Sequence, residues 1–235
     1  FDITNKKFKQ FLVHPENTVK FGQHEVINKI LALNDAKLLV STDIGLQYFD
    51  IQKHTFTKIF NTTDSIFSTQ VNDVKVNGDN IYAATKYGAF IYNTLSKQST
   101  VFKNVPNNST TISSNLVQNI HFSQSSNYLW LNIINQGIDI INLSTNKIVH
   151  LNKNNAKEYG TENENYYEII EDKENNIWLG GINITKYDPN KRKFGLLAKN
   201  FPNDFNLGFS AVFGTFVDSK GHVWLGEFEP HMGIM

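Results

Sequence analysis

The feature that most constrains how this chain can fold is an internal repeat. The stretches LLVST, IYAAT, LWLNI, IWLGG and VWLGE hold Val40, Ala83, Leu131, Leu179 and Leu225 in one frame, at spacings of 43, 48, 48 and 46 residues. A second landmark keeps step with the first. Asp2, Asp50, Asn93, Asn142 and Asp188 each close a strand-like segment and open a turn, at spacings of 48, 43, 49 and 46. Two landmarks in register imply a unit of about 45 residues built repeatedly along the chain.

Each unit reads as four short strands. Between 161 and 197 these are NYYEIIED, IWLGG, NITKYD and KFGLL, separated by EDKENN and DPNKRK; LVQNIHF, YLWLNI, GIDIIN and IVHL follow the same plan between 116 and 151, as do QVNDVKV, IYAAT, GAFIYN and TVF between 70 and 102. The segments are bounded by Asn, Asp, Gly and Pro and lack a sustained 3.6-residue apolar period, so the chain is predicted all-β. A four-stranded unit of this length cannot bury both of its faces alone. Radial stacking of such units is the β-propeller solution. The aliphatic-Trp-aliphatic strands around Trp130, Trp178 and Trp224 would then lie inside each blade, covered on both sides, with packing as their expected role. Gly45, Gly88 and Gly137 open third strands, where a turn favours positive φ.

The repeats divide as 12–60, 61–102, 103–151 and 152–197, with partial ones at 1–11 and 198–235. The chain is therefore expected to be about four whole blades and two partial ones from a larger propeller. Closure of the two ends into one split fifth blade is the alternative, attractive because it removes sheet edges.

Lys plus Arg and Asp plus Glu both total 22, which leaves no basic field to gather nucleic acid or anionic lipid. No apolar run approaches the roughly 20 residues of a membrane helix, so no membrane insertion by this segment is expected. Phe1 opens straight into strand-like sequence, and a targeting segment is expected to have been removed. The absence of cysteine excludes disulfides, thiolate metal sites and cysteine nucleophiles.

The units DKENNIWLGGINITKYDPNKRKF and DSKGHVWLGE resemble the two-component regulator propeller repeat: Asp, a turn with Gly or Asn, an aliphatic-Trp-aliphatic-Gly strand, a strand ending Tyr-Asp-Pro, then Lys-Phe. The stretch ISSNLVQNIHFSQSSNYLWLNIINQGIDIINLSTNKIVHL carries the same register, whereas at 61–102 Tyr82 replaces Trp and Tyr92-Asn93-Thr94 replaces Tyr-Asp-Pro. The resemblance implies the periplasmic sensor region of a hybrid two-component histidine kinase of the Bacteroidetes type, usually built on seven-bladed propellers. It implies an oligosaccharide or other small-molecule ligand and a partner in the remainder of the sensor kinase; no cofactor is expected. No kinase motif occurs in these residues, so the chain itself is expected not to be an enzyme.

Searching the residues for chemistry finds little. The seven histidines, at 14, 24, 54, 121, 150, 222 and 231, lack ligand spacing, so no metal is expected and each is read as exposed or singly hydrogen-bonded. The acidic stretch Glu158, Glu162, Glu164, Glu168, Glu171, Asp172 and Glu174 is read as a solvated loop and strand face, with Asp172 the repeat's turn residue. Recognition is expected instead at the loops joining second to third strands and each fourth strand to the next first strand, which share one face of a propeller. The candidate ligand-binding residues there are Asp43, Lys86, Tyr87, Asn135, Gln136, Tyr166, Tyr167 and Glu227, with Tyr159 nearby. Amide, charged and aromatic groups together suit a carbohydrate. Adjacent in a strand, Tyr166 and Tyr167 must face opposite ways. Two further classes stay open: a propeller enzyme acting on polysaccharide, such as a lyase or glycosidase, and a protein-interaction scaffold that forms a homodimer without a small ligand.

Overall fold

The computed structural model describes residues 26–60, 64–153, 164–188, 193–197, 214–226 and 232–234. All regular elements among them longer than a single turn are strands. The chain divides into two compact units, Phe1–Val71 and Asn72–Met235.

The first unit holds one antiparallel sheet of β1 (Ile27–Asn34), β2 (Lys37–Thr42), β3 (Gly45–Asp50) and β4 (Thr55–Lys58), hydrogen-bonded in chain order. The inner strands β2 and β3 are buried on both faces along most of their length, and the outer strand β4 is mostly exposed. The Asn28 side-chain amide donates to the Val71 carbonyl at 2.9 Å, tying the first strand to the end of the unit.

Among the described residues the second unit contains four sheets. Three are four-stranded: β5 (Val71–Asn77, whose first residue ends the first unit), β6 (Asn80–Thr85), β7 (Gly88–Asn93) and β8 (Ser99–Phe102); β9 (Val117–Ser123), β10 (Tyr128–Ile133), β11 (Gly137–Asn142) and β12 (Ile148–Leu151); and β13 (Tyr166–Glu171), β14 (Ile177–Gly181), β15 (Ile184–Asp188) and β16 (Lys193–Leu197). The last has β17 (Gly214–Val217), β18 (Val223–Gly226) and β19 (Met232–Ile234) among the described residues. The predicted four-stranded antiparallel blade is what the sequence forms.

The Asp or Asn at the end of β3, β7 and β11 acts as a local template. Asp50 Oδ1 accepts from the amides of Gln52 and Lys53, Asn93 Oδ1 from Leu95 and Ser96, and Asn142 Oδ1 from Ser144 and Thr145, all at 2.8–3.1 Å. Each turn then passes through a left-handed residue, His54, Lys97 and Asn146. A short side-chain acceptor two residues before the bend replaces a backbone partner, so these positions favour Asx chemistry. Asp2 lies outside the described residues.

Within the second unit the sheets pack face to face. Leu129, Leu131 and Ile133 on one face of β10 join Tyr82, Ala84 and Ala89 of the preceding sheet in one core. Trp130 on the other face, 1% exposed, packs with Ile138, Tyr166, Ile169, Ile177 and Leu179. Trp178 repeats the arrangement one blade later with Ile184, Val223 and Leu225. Strand alternation sends the aliphatic residues to one neighbour and the tryptophan to the other. The frame seen in the sequence is therefore the joint between blades.

Two of the tryptophan indoles, those of Trp178 and Trp224, are anchored from within their own blades. Trp178 Nε1 donates to Asp172 Oδ2 at 2.7 Å, and Trp224 Nε1 to Asp218 Oδ2 at 3.2 Å. Asp172 also receives the Asn176 amide side chain and the backbone amides of Glu174 and Asn176. In the next blade His222 stands where Asn176 does, its Nδ1 2.9 Å from Asp218 Oδ2. Burial works against ionisation of Asp172, but the donors from Trp178 and Asn176 outweigh it and hold the carboxyl below its usual range. Asp172→Ala should cost about 1–3 kcal/mol in urea unfolding at neutral pH by stranding the indole N–H. Because the folded-state value is depressed, the group's contribution is present above the ordinary carboxylate range and is lost as pH falls through the folded value. The gap between variant and parent should therefore close in acid, and a gap that persisted unchanged there would rule out the charge as its source.

Candidate functional site

Two kinds of loop converge on one rim of the second unit. The β6–β7 turn meets the connection into β9 through Gly88 N–H donating to the Asn115 carbonyl at 2.8 Å. The β10–β11 turn meets that same connection through Ile134 N–H and the Leu116 carbonyl at 3.0 Å. It also meets the connection into β13, where Gly137 N–H donates to the Glu164 carbonyl and Asn135 N–H to the Asn165 side-chain oxygen, both at 3.1 Å. Glycine is required for this approach. A Cβ on Gly88 would lie 2.3 Å from the Phe102 carbonyl oxygen, and one on Gly137 would lie 2.1 Å from that of Leu151. The β6–β7 turn is further set by Thr85, whose hydroxyl donates to the Gly88 carbonyl and accepts from Tyr87 N–H.

This scaffold places several of the candidate residues. Lys86 and Tyr87 sit beside Asn115 and Leu116, and Asn135 and Gln136 beside Glu164 and Asn165. Tyr87 is 44% exposed, with the Lys86 ammonium 5.5 Å from its ring centroid. Tyr166 and Tyr167 part as strand geometry requires: Tyr166 is buried against Trp130, and Tyr167 is exposed. Tyr166 is thus a core residue, and its role at the rim is through its carbonyl, which accepts from the Asn132 side chain. Asp43 lies in the first unit at the β2–β3 turn, its amide bonded to the Val26 carbonyl and one carboxylate oxygen buried without a hydrogen-bond partner. Glu227 and Tyr159 lie outside the described residues.

Two exposed apolar residues escaped the sequence reading. Leu116 precedes β9, and Ile182 occupies the β14–β15 turn at 56% exposure. Both stand in the loop positions from which the other candidates were drawn. A search of those positions for exposed aliphatic residues as well as polar and aromatic ones would have found them.

The acidic stretch departs from the solvated face expected of it. Glu171 accepts from Ser123 Oγ at 2.8 Å and Ser125 Oγ at 3.1 Å, with His121 Nε2 at 3.0 Å, so it joins adjacent blades. Burial opposes its ionisation, and the His121 and serine bonds outweigh that and keep the carboxyl below its usual range. Glu164 pairs with Lys153, and Glu158 and Glu162 lie outside the described residues. The histidines also behave structurally. His121, His150 and His222 each meet a carboxylate, and His150 exceeds the single bond expected by making two contacts.

The backbone has counterparts among solved structures. The extracellular domain assigned to a hybrid two-component system of Bacteroides thetaiotaomicron matches 92% of this chain and 28% of its own length, with a TM-score of 0.64 at 20% identity. A second such domain from that organism matches 88% of this chain and 39% of its own length, with a TM-score of 0.51 at 17% identity. A B. thetaiotaomicron protein of unknown function matches 84% and 55% of the two chains, with a TM-score of 0.58 at 12% identity. The chain shares their fold. It spans between 28% and 55% of the length of these three, and at such identities what is held in common is the arrangement of blades. No family model and no curated protein matches the sequence.

Proposed function

We propose that this chain is part of the periplasmic ligand-sensing domain of a hybrid two-component regulator, recognising a carbohydrate at the rim of the second unit and relaying the event toward a histidine kinase elsewhere in the protein. The observation that carries the reading is the likeness of 92% of the chain to the extracellular domain of a hybrid two-component system. In this reading the chain is non-catalytic and belongs to a larger, seven-bladed propeller. Its repeats are 12–60, 61–102, 103–151 and 152–197, flanked by the partial repeats 1–11 and 198–235. The remainder of the sensor kinase and a second copy of the protein are its partners.

The side chains of the rim support a carbohydrate as the ligand class. Tyr87 and Tyr167 offer ring faces to the CH surface of a sugar, while Asn135 and Gln136 offer amides with both donor and acceptor atoms. Leu116 and Ile182 add apolar surface, and Lys86 is the charged group. Donors and acceptors beside aromatic faces match a polyhydroxylated ligand better than a strongly charged one.

Thermal unfolding of the chain, alone and within a longer ectodomain, against a panel of plant and host oligosaccharides tests this. A cognate glycan at 100 times its Kd should stabilise by about 2.7 kcal/mol, and Tyr167→Ala should remove the shift without lowering the unliganded Tm. A response confined to the longer ectodomain would move the site out of these blades. Silence from both would reject the carbohydrate and favour a scaffold role.

A further inference from the structure

The connection from β8 to β9, residues 103–116, folds over the outer part of the sheet formed by β9 to β12. It is braced internally: Asn104 N–H donates to Asn115 Oδ1 at 2.8 Å, the Asn104 amide side chain to the Ile112 carbonyl at 2.7 Å, and Val105 N–H to Thr111 Oγ1 at 3.0 Å. Beneath it lies a cleft of about 430 Å³ bordered by Asn104, Asn107, Ser109, Ile112, His150 and Asn152. Most polar groups of this wall are already engaged with one another.

One cluster fastens the connection to the sheet. Asp139 on β11 is completely buried, and its carboxylate accepts from Ser113 N–H at 2.6 Å and from Ser113 Oγ at 3.0 Å. His150 on β12 sits across the same carboxylate, with Nδ1 at 2.6 Å from Asp139 Oδ1, and its Nε2 reaches the Ser109 carbonyl at 3.0 Å. A carbonyl oxygen can only accept, so Nε2 must carry a proton. Nδ1 stands 2.6 Å from a carboxylate oxygen, which accepts, so Nδ1 carries one too. A neutral imidazole has a single N–H and cannot satisfy both contacts.

We propose that this proton operates a latch: with His150 doubly protonated the 103–116 connection is fastened at both Ser109 and Ser113, and loss of the proton releases the Ser109 end while Ser113 stays bound to Asp139. The remaining N–H stays with the carboxylate because a charge-assisted bond is stronger than one to a neutral carbonyl. The opening is therefore local to the cleft wall, about residues 105–111.

Among the described residues, Asp139 faces the ring from β11. The connection contributes Lys103 at its start, which lines the adjoining hollow, and β12 is flanked by Lys147 and by Lys153, the latter paired with Glu164 at 3.1 Å. The Asp139 hydrogen bond pushes the His150 pKa above the usual imidazole value, partial burial works against it, and the Ser109 bond adds to the rise. A raised folded-state value means that the latch stabilises fully below the ordinary value near 6.5 and is lost as pH rises through the folded one.

The test is a histidine-labelled NMR titration of the 235-residue chain, with backbone amide exchange followed in parallel and corrected for base catalysis. The His150 ring is expected to titrate above the ordinary imidazole value. Opening at residues 107–111 should rise several-fold with the same midpoint, while β10 amides stay unchanged. In His150→Gln that step should disappear. A ring that titrates at or below the ordinary value, or a wall whose opening shows no step at the ring's midpoint, overturns the proposal. Both decisive readings come from the parent chain, so poor folding of the variant does not shield the idea.

Discussion

Trp130→Ala should lower stability by about 3–5 kcal/mol, the range for removing a buried large aromatic side chain. The indole is 1% exposed and lies against Ile138, Tyr166, Ile169, Ile177 and Leu179, so its loss opens a void between two blades. Strand pairing holds each sheet rigid, which limits collapse into that void and places the cost toward the upper end. Against a typical domain stability of about 5–15 kcal/mol, the midpoint of urea unfolding should fall steeply. Trp130→Phe should recover part of the loss, because it keeps a ring in the joint. A Trp130→Ala chain within about 0.5 kcal/mol of the parent would mean that the blade joint does not depend on this side chain, contrary to its burial.

The second large effect is expected at Gly137. Its φ of 88° is one that a side chain rarely adopts, and a Cβ would stand 2.1 Å from the Leu151 carbonyl oxygen. Backbone strain alone is worth about 1–3 kcal/mol, and the overlap adds to it because the obstructing atom is main chain. Gly78→Ala is the control: φ there is 55° with nothing within 4 Å, so only the conformational part, about 1–2 kcal/mol, applies. The two differ by the close approach. Under the proposed carbohydrate reading, Gly137→Ala should also weaken any glycan-induced thermal shift, since the same turn carries Asn135 and Gln136 and is bonded to Glu164. Equal effects at Gly78 and Gly137 would show that the β10–β11 turn relaxes freely and does not hold the rim.

Much of the fold can be read from spacing, because each blade is assembled from neighbours in sequence. The closing Asp50, Asn93 and Asn142 act within their own turns, whereas the frame around Trp130, Trp178 and Trp224 and the opening Gly45, Gly88 and Gly137 are legible because they recur once per blade, although Gly137 meets Leu151 and Trp130 meets the next blade. The rim is less legible. Tyr166 and Tyr167 could be assigned to opposite faces by strand alternation, yet which one stays outside depends on Trp130 in the adjacent blade. Leu116 and Ile182 could be singled out only by their loop positions, since an exposed aliphatic and a buried one are the same letter.

The carboxylates show the boundary most clearly. Asp172 was readable as the repeat's turn residue, although its bond to the indole six residues on came only from the structure. Glu171 reaches Ser123 and His121, 48 and 50 residues away, and Asp139 reaches Ser113 across 26. By itself the sequence determined the repeat, the four-stranded blade and its turns, since these depend on short-range periodicity and on backbone preferences. The tertiary structure alone decided which polar side chains are paired across blades and which are left exposed at the rim, because hydrogen-bond geometry and burial are set by residues the chain brings together from distant repeats.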